Sequence, residues 1–569
     1  MKKVFLFLLM LWSVGAMAQQ PLKYKVGFLG APSWPQTPWN DVNMQKMREL
    51  GFNTMQLNIA WGYRPGDEPL NLEDVVGLPA GQVMTAGDSA YGITLRTSAK
   101  IRERGDKLRQ RVRICRQYGF RTIFHFGAPC VLYPAREPLD QCISDDATLA
   151  RYITLIKNFH AQYPGVDDLL CYTYDQNAWL CSEFGPCPRC HGVPLPQRVA
   201  KFVNTLARTW HLLNPRGILW WEPWELSAGE TYKAVDLLDS TCTGLSIHSD
   251  IAEVQIALPA DRWFRNIVAQ ARERKIPVIG EVWMGGPTEE VEPYLHIAAP
   301  LATLRALRAV AGVWGLDGVK EYYGNIPDKE DPNLRMTAIF FRRPGIGDEA
   351  ALTELARPYG LAAKGVADYW RLSSSAIALY PWDVSWLARE IGRSDPAHLL
   401  SAAVLKGASW QTPSWQSTRR TAFMRTDDTV QPNFWMREDI QMRCEQAAGK
   451  MQAAIVAASA VKDRVPAVFK PTFMKSVEEL DGIRRRTLAY AYHLRETNLA
   501  EIVRSGELRD VYVEEMKNLL ENDRENQGGS EVIDEALRML EQNKEKFFAT
   551  YFLPSSPSGR KEQWTITSQ

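Results

Sequence analysis

Eight short runs of apolar, aromatic and β-branched residues recur through roughly the first 320 positions. They begin near Val26 (VGFLG), Thr54 (TMQLNIAW), Thr122 (TIFHFGA), Leu169 (LLCYTYD), Ile218 (ILWWEPW), Gly244 (GLSIHSD), Pro277 (PVIGEVW) and Gly312 (GVWGLDG). Between several of them the apolar spacing lengthens to that of an amphipathic helix, over Asp41–Leu50, Gln197–Leu212 and Ala260–Lys275. Strands alternating with helices build parallel sheet, and near-continuous apolar strands are buried on both faces. Eight such units predict a closed (β/α)8 barrel, a TIM barrel, over residues 21–341. An open doubly wound sheet would place a Gly-rich phosphate loop after its first strand, and Gly30-Ala31-Pro32-Ser33-Trp34-Pro35 is not one.

From Gly347 the β-type runs give way to helical periodicity over Glu349–Leu372, Asp395–Leu405, Glu438–Lys462, Val477–Ser505, Glu507–Glu521 and Glu531–Phe548. In Glu438–Lys462, the positions Met442, Ala447, Met451, Ile455, Ala458 and Val461 fall on one helix face. The pattern predicts an α/β barrel followed by an all-α C-terminal domain over 347–552, then a tail over 553–569. The long stretch Arg64–Arg102 after the second run reads as an insertion building the rim of the barrel mouth.

Composition narrows the function classes. With 67 basic and 66 acidic residues, no global field favours nucleic acid, and no later apolar stretch is long enough for integral membrane contact. At the start, Lys2-Lys3, the apolar run Val4–Trp12 and the small residues Ala16-Met17-Ala18 read as a signal peptide over 1–18. The expected location is therefore the bacterial periplasm or the extracellular space. The 19 Trp residues are many for a soluble chain; indole faces stack on sugar rings, and a Trp-rich core accounts for the remainder.

Nine cysteines in an exported chain leave at least one unpaired. The spacing Cys181-x5-Cys187-x2-Cys190-His191 fits a zinc knuckle, but in an oxidising compartment a loop stapled by one disulfide is the preferred reading. Either way the loop is a stiffening device, and no catalytic metal or other cofactor is expected.

In such a barrel the chemistry sits where strands end. The predicted ends are acidic and aromatic. They carry Trp61 after the second strand, His125 after the third, and Tyr174, Asp175 and Asn177 after the fourth, with Glu183 following. Trp221, Glu222 and Trp224 come from the fifth, His248 and Asp250 from the sixth, Glu281 and Trp283 from the seventh, and Asp317 from the eighth. Several carboxylates among indoles are what glycosidic cleavage needs: one carboxyl protonates the leaving oxygen and another acts as nucleophile or base. A Ser elbow, an H-E-x-x-H pair and dinucleotide-binding motifs are absent from the sequence.

The order Ser182-Glu183-Phe184-Gly185, WWEPWELS, Asp250, then Glu281 resembles the xylan-trimming alpha-glucuronidases, a barrel family with a large helical domain. That resemblance implies Glu183 as the acid and Asp250 with Glu281 as the pair activating water, hence inversion; Phe184 interrupts the family's Glu-Gly pair. A second set, Cys187-Pro188-Arg189-Cys190 with Phe202-Val203-Asn204, resembles bacterial endo-acting N-acetylglucosaminidases with helical C-terminal regions.

The leading expectation is an exported glycoside hydrolase acting on a poly- or oligosaccharide. Its catalytic candidates are Glu183, Glu281, Asp250, Asp175 and Glu222. Trp61, His125, Tyr174, Asn177, Trp221, Trp224, His248, Trp283 and Asp317 are expected to bind substrate. A substrate-assisted N-acetylhexosaminidase-like enzyme, in which Asp175 outweighs Glu281, and a catalytically inactive carbohydrate-binding barrel are the alternatives. The helical domain is a candidate surface for homo-oligomer formation.

Overall fold

The computed structural model describes residues 21–31, 37–59, 67–69, 71–77, 97–128, 138, 141–173, 181–223, 226, 228–249, 259–285, 294–327, 330–380 and 434–552. Its first part is a closed barrel of eight parallel strands in sequential order. These are β1 (Tyr24–Gly27), β2 (Thr54–Gln56), β3 (Arg121–Gly127), β4 (Asp168–Thr173), β5 (Leu219–Pro223), β6 (Thr243–His248), β7 (Val278–Val282) and β8 (Gly318–Glu321). β8 closes onto β1 through the register Tyr24↔Gly318 and Val26↔Lys320. Around the strands run α1 (Asp41–Glu49), α2 (Leu72–Val76), α3 (Ser98–Gln117), α4 (Asp146–Gln162), α5 (Leu195–Leu213), α6 (Ala228–Val235), α7 (Arg262–Glu273) and α8 (Pro300–Ala311). α9 (Pro332–Arg342) follows β8.

Strand alternation sorts the side chains. Phe124, Phe126, Leu169, Cys171, Leu219, Trp221 and Leu245 face outward into the main core beneath the helices. Tyr24, Val26, Ile123, Leu170, Tyr172, Trp220 and Ile279 form a separate buried cluster inside the barrel. Trp220 fits there because its register partner on β6 is Gly244, where a Cβ would stand 2.4 Å from the indole ring. Tyr24 meets the same indole edge-on, with ring centroids 5.0 Å apart. The base of the barrel is closed by Arg121, which donates two 2.6 Å hydrogen bonds to Asp168.

Seven of the eight strands lie where the hydrophobic runs place them. The eighth does not: GVWGLDG is the turn leaving α8, and β8 begins at Gly318. Gly315 within that turn has φ +98°, a conformation closed to most side chains, while Val313 and Leu316 are buried. A short apolar turn and a short apolar strand share the same composition, so the pattern alone cannot separate them.

The described part of the insertion after β2 carries α2 and leads into α3, and it is pinned by buried charge. Arg111 makes a bidentate pair with Glu68 at 2.7 and 2.8 Å, and Arg151 reaches Glu73 at 3.0 Å. Asn71 Oδ1 accepts from Gly127 N at 2.7 Å, which ties the same segment to the end of β3.

The C-terminal region is helical: α10 (Asp348–Ala356), α11 (Ala363–Ile377), α12 (Phe434–Ser459), α13 (Lys470–Ser505), α14 (Asp510–Gln527), α15 (Glu531–Gln542) and α16 (Lys544–Thr550). The predicted helix Asp395–Leu405 lies outside the described residues. Along α12, Ala447, Met451, Ala458 and the following Val461 are buried as the periodicity requires, whereas Met442 is exposed. One continuous core runs from Leu29 through the barrel helices to Leu494 on α13. A second, smaller core from Leu499 to Phe552 gathers the end of α13 with α14, α15 and α16.

Candidate active site

The uppermost inward-facing residues of the barrel are polar, in contrast to the apolar cluster below them. Lys320 enters from β8, Glu281 from β7, Ser246 and His248 from β6, Glu222 from β5, and His125 from β3. The ladder registers place Glu281 opposite both Lys320 and His248, and Glu222 opposite Tyr172. Lys320 Nζ donates to Glu281 Oε1 at 2.6 Å and to Glu222 Oε2 at 3.0 Å. Ser246 Oγ donates to Glu281 Oε1 at 2.9 Å. His248 Nε2 stands 3.4 Å from Glu281 Oε2, and His125 Nε2 stands 3.7 Å from Glu222 Oε2. Asn58 locks the backbone of His125 by donating to its carbonyl at 2.7 Å and accepting its N–H at 3.0 Å.

Burial sets the electrostatics. Lys320 and Glu281 are 0% exposed and Glu222 2%. Burial, followed by the negative charge of Glu222, raises the Glu281 carboxyl above the usual carboxylate range even with Lys320 beside it. Lys320 stays charged: burial opposes its ammonium, but Glu222 and Glu281 together lift its pKa above the ordinary lysine value. Burial pushes His248 down to about 4, so the imidazole is neutral at physiological pH. The Lys320 ammonium, set between the two buried carboxyls, offsets part of the desolvation penalty that burial imposes there.

Of the sequence-derived candidates, Glu222, Glu281, His125 and His248 are brought together here. Lys320, which the sequence reading does not single out, joins them; its signal is a lysine in the short strand GVKE, every residue of which is buried. Glu183 is held elsewhere, its Oε2 accepting from Leu195 N at 3.0 Å at the start of α5. Asp317 stands at the opposite end of the barrel, just before β8, with Oδ2 accepting from Val278 N at 2.9 Å; the misplaced eighth strand had put it at the mouth. Trp221 is fully buried in the outer core because it alternates with the inward-facing Trp220 and Glu222, so it offers no face to a ligand. Trp283 is likewise buried in that core, at 1% exposure. Asp175, Asp250, Trp61, Tyr174, Asn177 and Trp224 lie outside the described residues. Glu321, next to Lys320 but facing away, accepts from Met284 N, Tyr323 N and Asn325 Nδ2 and ties the β7 and β8 connections; burial pushes it up to about 8.

The cysteine loop also differs from expectation. No described cysteine forms a disulfide. Cys142, from the β3–α4 connection, joins Cys181, Cys187 and Cys190 in one buried cluster. His191 instead places Nδ1 3.2 Å from Gly185 O.

No family model and no curated protein matches the sequence. Among solved structures, the chain is similar to a GH138 enzyme targeting pectin rhamnogalacturonan II, with TM-score 0.56 and 11% identity over 89% of this chain and 76% of that one. It matches CpGH84B with TM-score 0.41 and 11% identity, over 91% and 77% of the two chains. A GH18 chitinase from Pseudoalteromonas aurantia follows at TM-score 0.31 and 10% identity, over 56% and 99%. The architecture, a TIM barrel with a C-terminal helical region, is thus one that a glycoside hydrolase uses. No helix among the described residues is long and apolar enough to cross a membrane.

Proposed function

We propose that this protein is an exported glycoside hydrolase in which Glu281 is the acid and Glu222 its carboxylate partner. The observation that carries the reading is the convergence of both carboxyls on Lys320 in the top layer of the barrel, at 2.6 and 3.0 Å. Two carboxyls in one site, with burial raising that of Glu281 above the usual carboxylate range, fit the acid and carboxylate pair that glycosidic cleavage needs. Glu281 would give its proton to the leaving oxygen, and Glu222 would attack the anomeric carbon. Oxygens of the two lie within 4.8 Å of each other. Retention calls for a carboxyl spacing of about 5–5.5 Å, whereas inversion needs about 6.5–9.5 Å to seat a water. The close approach of one oxygen from each carboxyl is the observation that supports retention over the inversion implied by the alpha-glucuronidase resemblance.

The test is a screen of the purified full chain on uronic-acid and amino-sugar glycans, with NMR of the first product formed. Glu281→Gln and Glu222→Gln should each lower kcat by about a thousandfold, and the first product should keep its anomeric configuration. Near-full activity in both variants would overturn the assignment, and Glu183 and Asp175 would be tested next.

One observation favours a second reading. Glu281 and Lys320 are wholly covered, as befits an ion cluster that only shapes a carbohydrate-binding barrel. Glycan binding without sugar release from any member of the panel would support that reading. The export claim is separate, and its check is N-terminal sequencing of secreted protein, expected to begin at Gln19.

A further inference from the structure

We propose that Cys142, Cys181, Cys187 and Cys190 form a tetrathiolate site for one structural zinc ion. The four come from two neighbouring connections at the strand-end face, Cys142 between β3 and α4 and the other three between β4 and α5. All are between 0% and 2% exposed, and they make a buried cluster of their own, separate from both apolar cores. One sulfur from each lies within 4.8 Å of every other. The Sγ of Cys142 is 3.2 Å from that of Cys190 and 4.0 Å from that of Cys187. A tetrahedron with Zn–S of about 2.3 Å has S···S edges of about 3.8 Å, while a disulfide requires about 2.05 Å. The spacing is that of ligands around a shared centre.

The surroundings fit the same ion. Cys187-Pro188-Arg189-Cys190 is a tight turn in which Cys190 N and His191 N both donate to Cys187 O, at 3.1 and 2.9 Å. This turn aims two sulfurs at one point. Zinc with four thiolates carries two negative charges, and the buried Arg198 lies beside them, donating to Cys181 O at 2.8 Å. Residues 181–194 contain no helix or strand, so metal ligation supplies the order that packing does not. With four protein sulfurs the ion has no open position, and its role is to tie the two connections together. Loading exchanges four thiol protons for one Zn2+, with the protons released to solvent and no change in oxidation state.

The experiment uses the full chain, purified without chelator or reductant. Elemental analysis should find about one zinc per chain. Replacement by Co2+ should give the intense thiolate charge-transfer absorption of a tetrahedral tetrathiolate. This spectrum needs no variant, so it holds whether or not substituted chains fold. Cys142→Ser should lose zinc to a competing chelator at least tenfold more readily than the parent, whereas His191→Ala should not. Three results would overturn the site: a metal-free chain about 4 Da lighter than its reduced form, as two disulfides require; iron in place of zinc; or zinc that depends on His191 and not on Cys142.

Discussion

At the scale of single residues, Lys320 decides what the barrel interior can hold. It is the buried counter-ion of Glu222 and Glu281, and breaking such a cluster by removing one partner costs about 3–5 kcal/mol. Lys320→Met should therefore lower the melting temperature at neutral pH and abolish turnover. The loss should shrink in acid. Without the ammonium, the burial that raises the Glu281 carboxyl loses its main opposition, so in the folded state Glu281 binds its proton more tightly than in the unfolded chain. A raised folded pKa gives stability that is present below the unfolded carboxylate range and disappears as pH rises through the folded value. Melting curves of parent and variant between pH 4.5 and 8 check this. A gap that stays constant with pH would show that Lys320 acts by packing alone.

At the scale of elements, most of the barrel was legible because parallel strands buried on both faces read as continuous apolar runs, and their order could then only close. What could not be read was which way each side chain points. Trp220 and Trp221 are adjacent in WWEPW, yet one fills the barrel and the other packs under helices, and only strand register separates them. Glu281 was legible as a lone acid in GEVW. Glu183 had a helix start 12 residues ahead that its carboxylate caps, a pairing that sequence distance conceals. The described part of the insertion after β2 is anchored by Arg–carboxylate pairs, which no hydrophobic pattern reports. Arg111→Met would leave Glu68 buried without its partner. We expect a loss of about 3–5 kcal/mol by urea unfolding, with Glu68→Gln in the same chain recovering part of it.

At the scale of the whole molecule, the change of texture at Gly347 marks where strands cease rather than where one core ends. Helices α10, α11 and α12 share the barrel's core, and Glu479 on α13 reaches back to accept from Leu295 N and His296 N at 2.8 and 2.6 Å. The boundary between cores falls inside α13, between Leu494 and Leu499. A single 36-residue helix therefore belongs to two bodies of unequal size. Its amides will not share one lifetime in heavy water. The turns near Phe473 to Leu494 should exchange only when the large core opens, whereas those from Leu499 to Ser505 should follow the smaller one and exchange sooner. Hydrogen-exchange mass spectrometry resolved along α13 should trace that gradient. A uniform rate from end to end would mean that the last three helices rise and fall with the barrel.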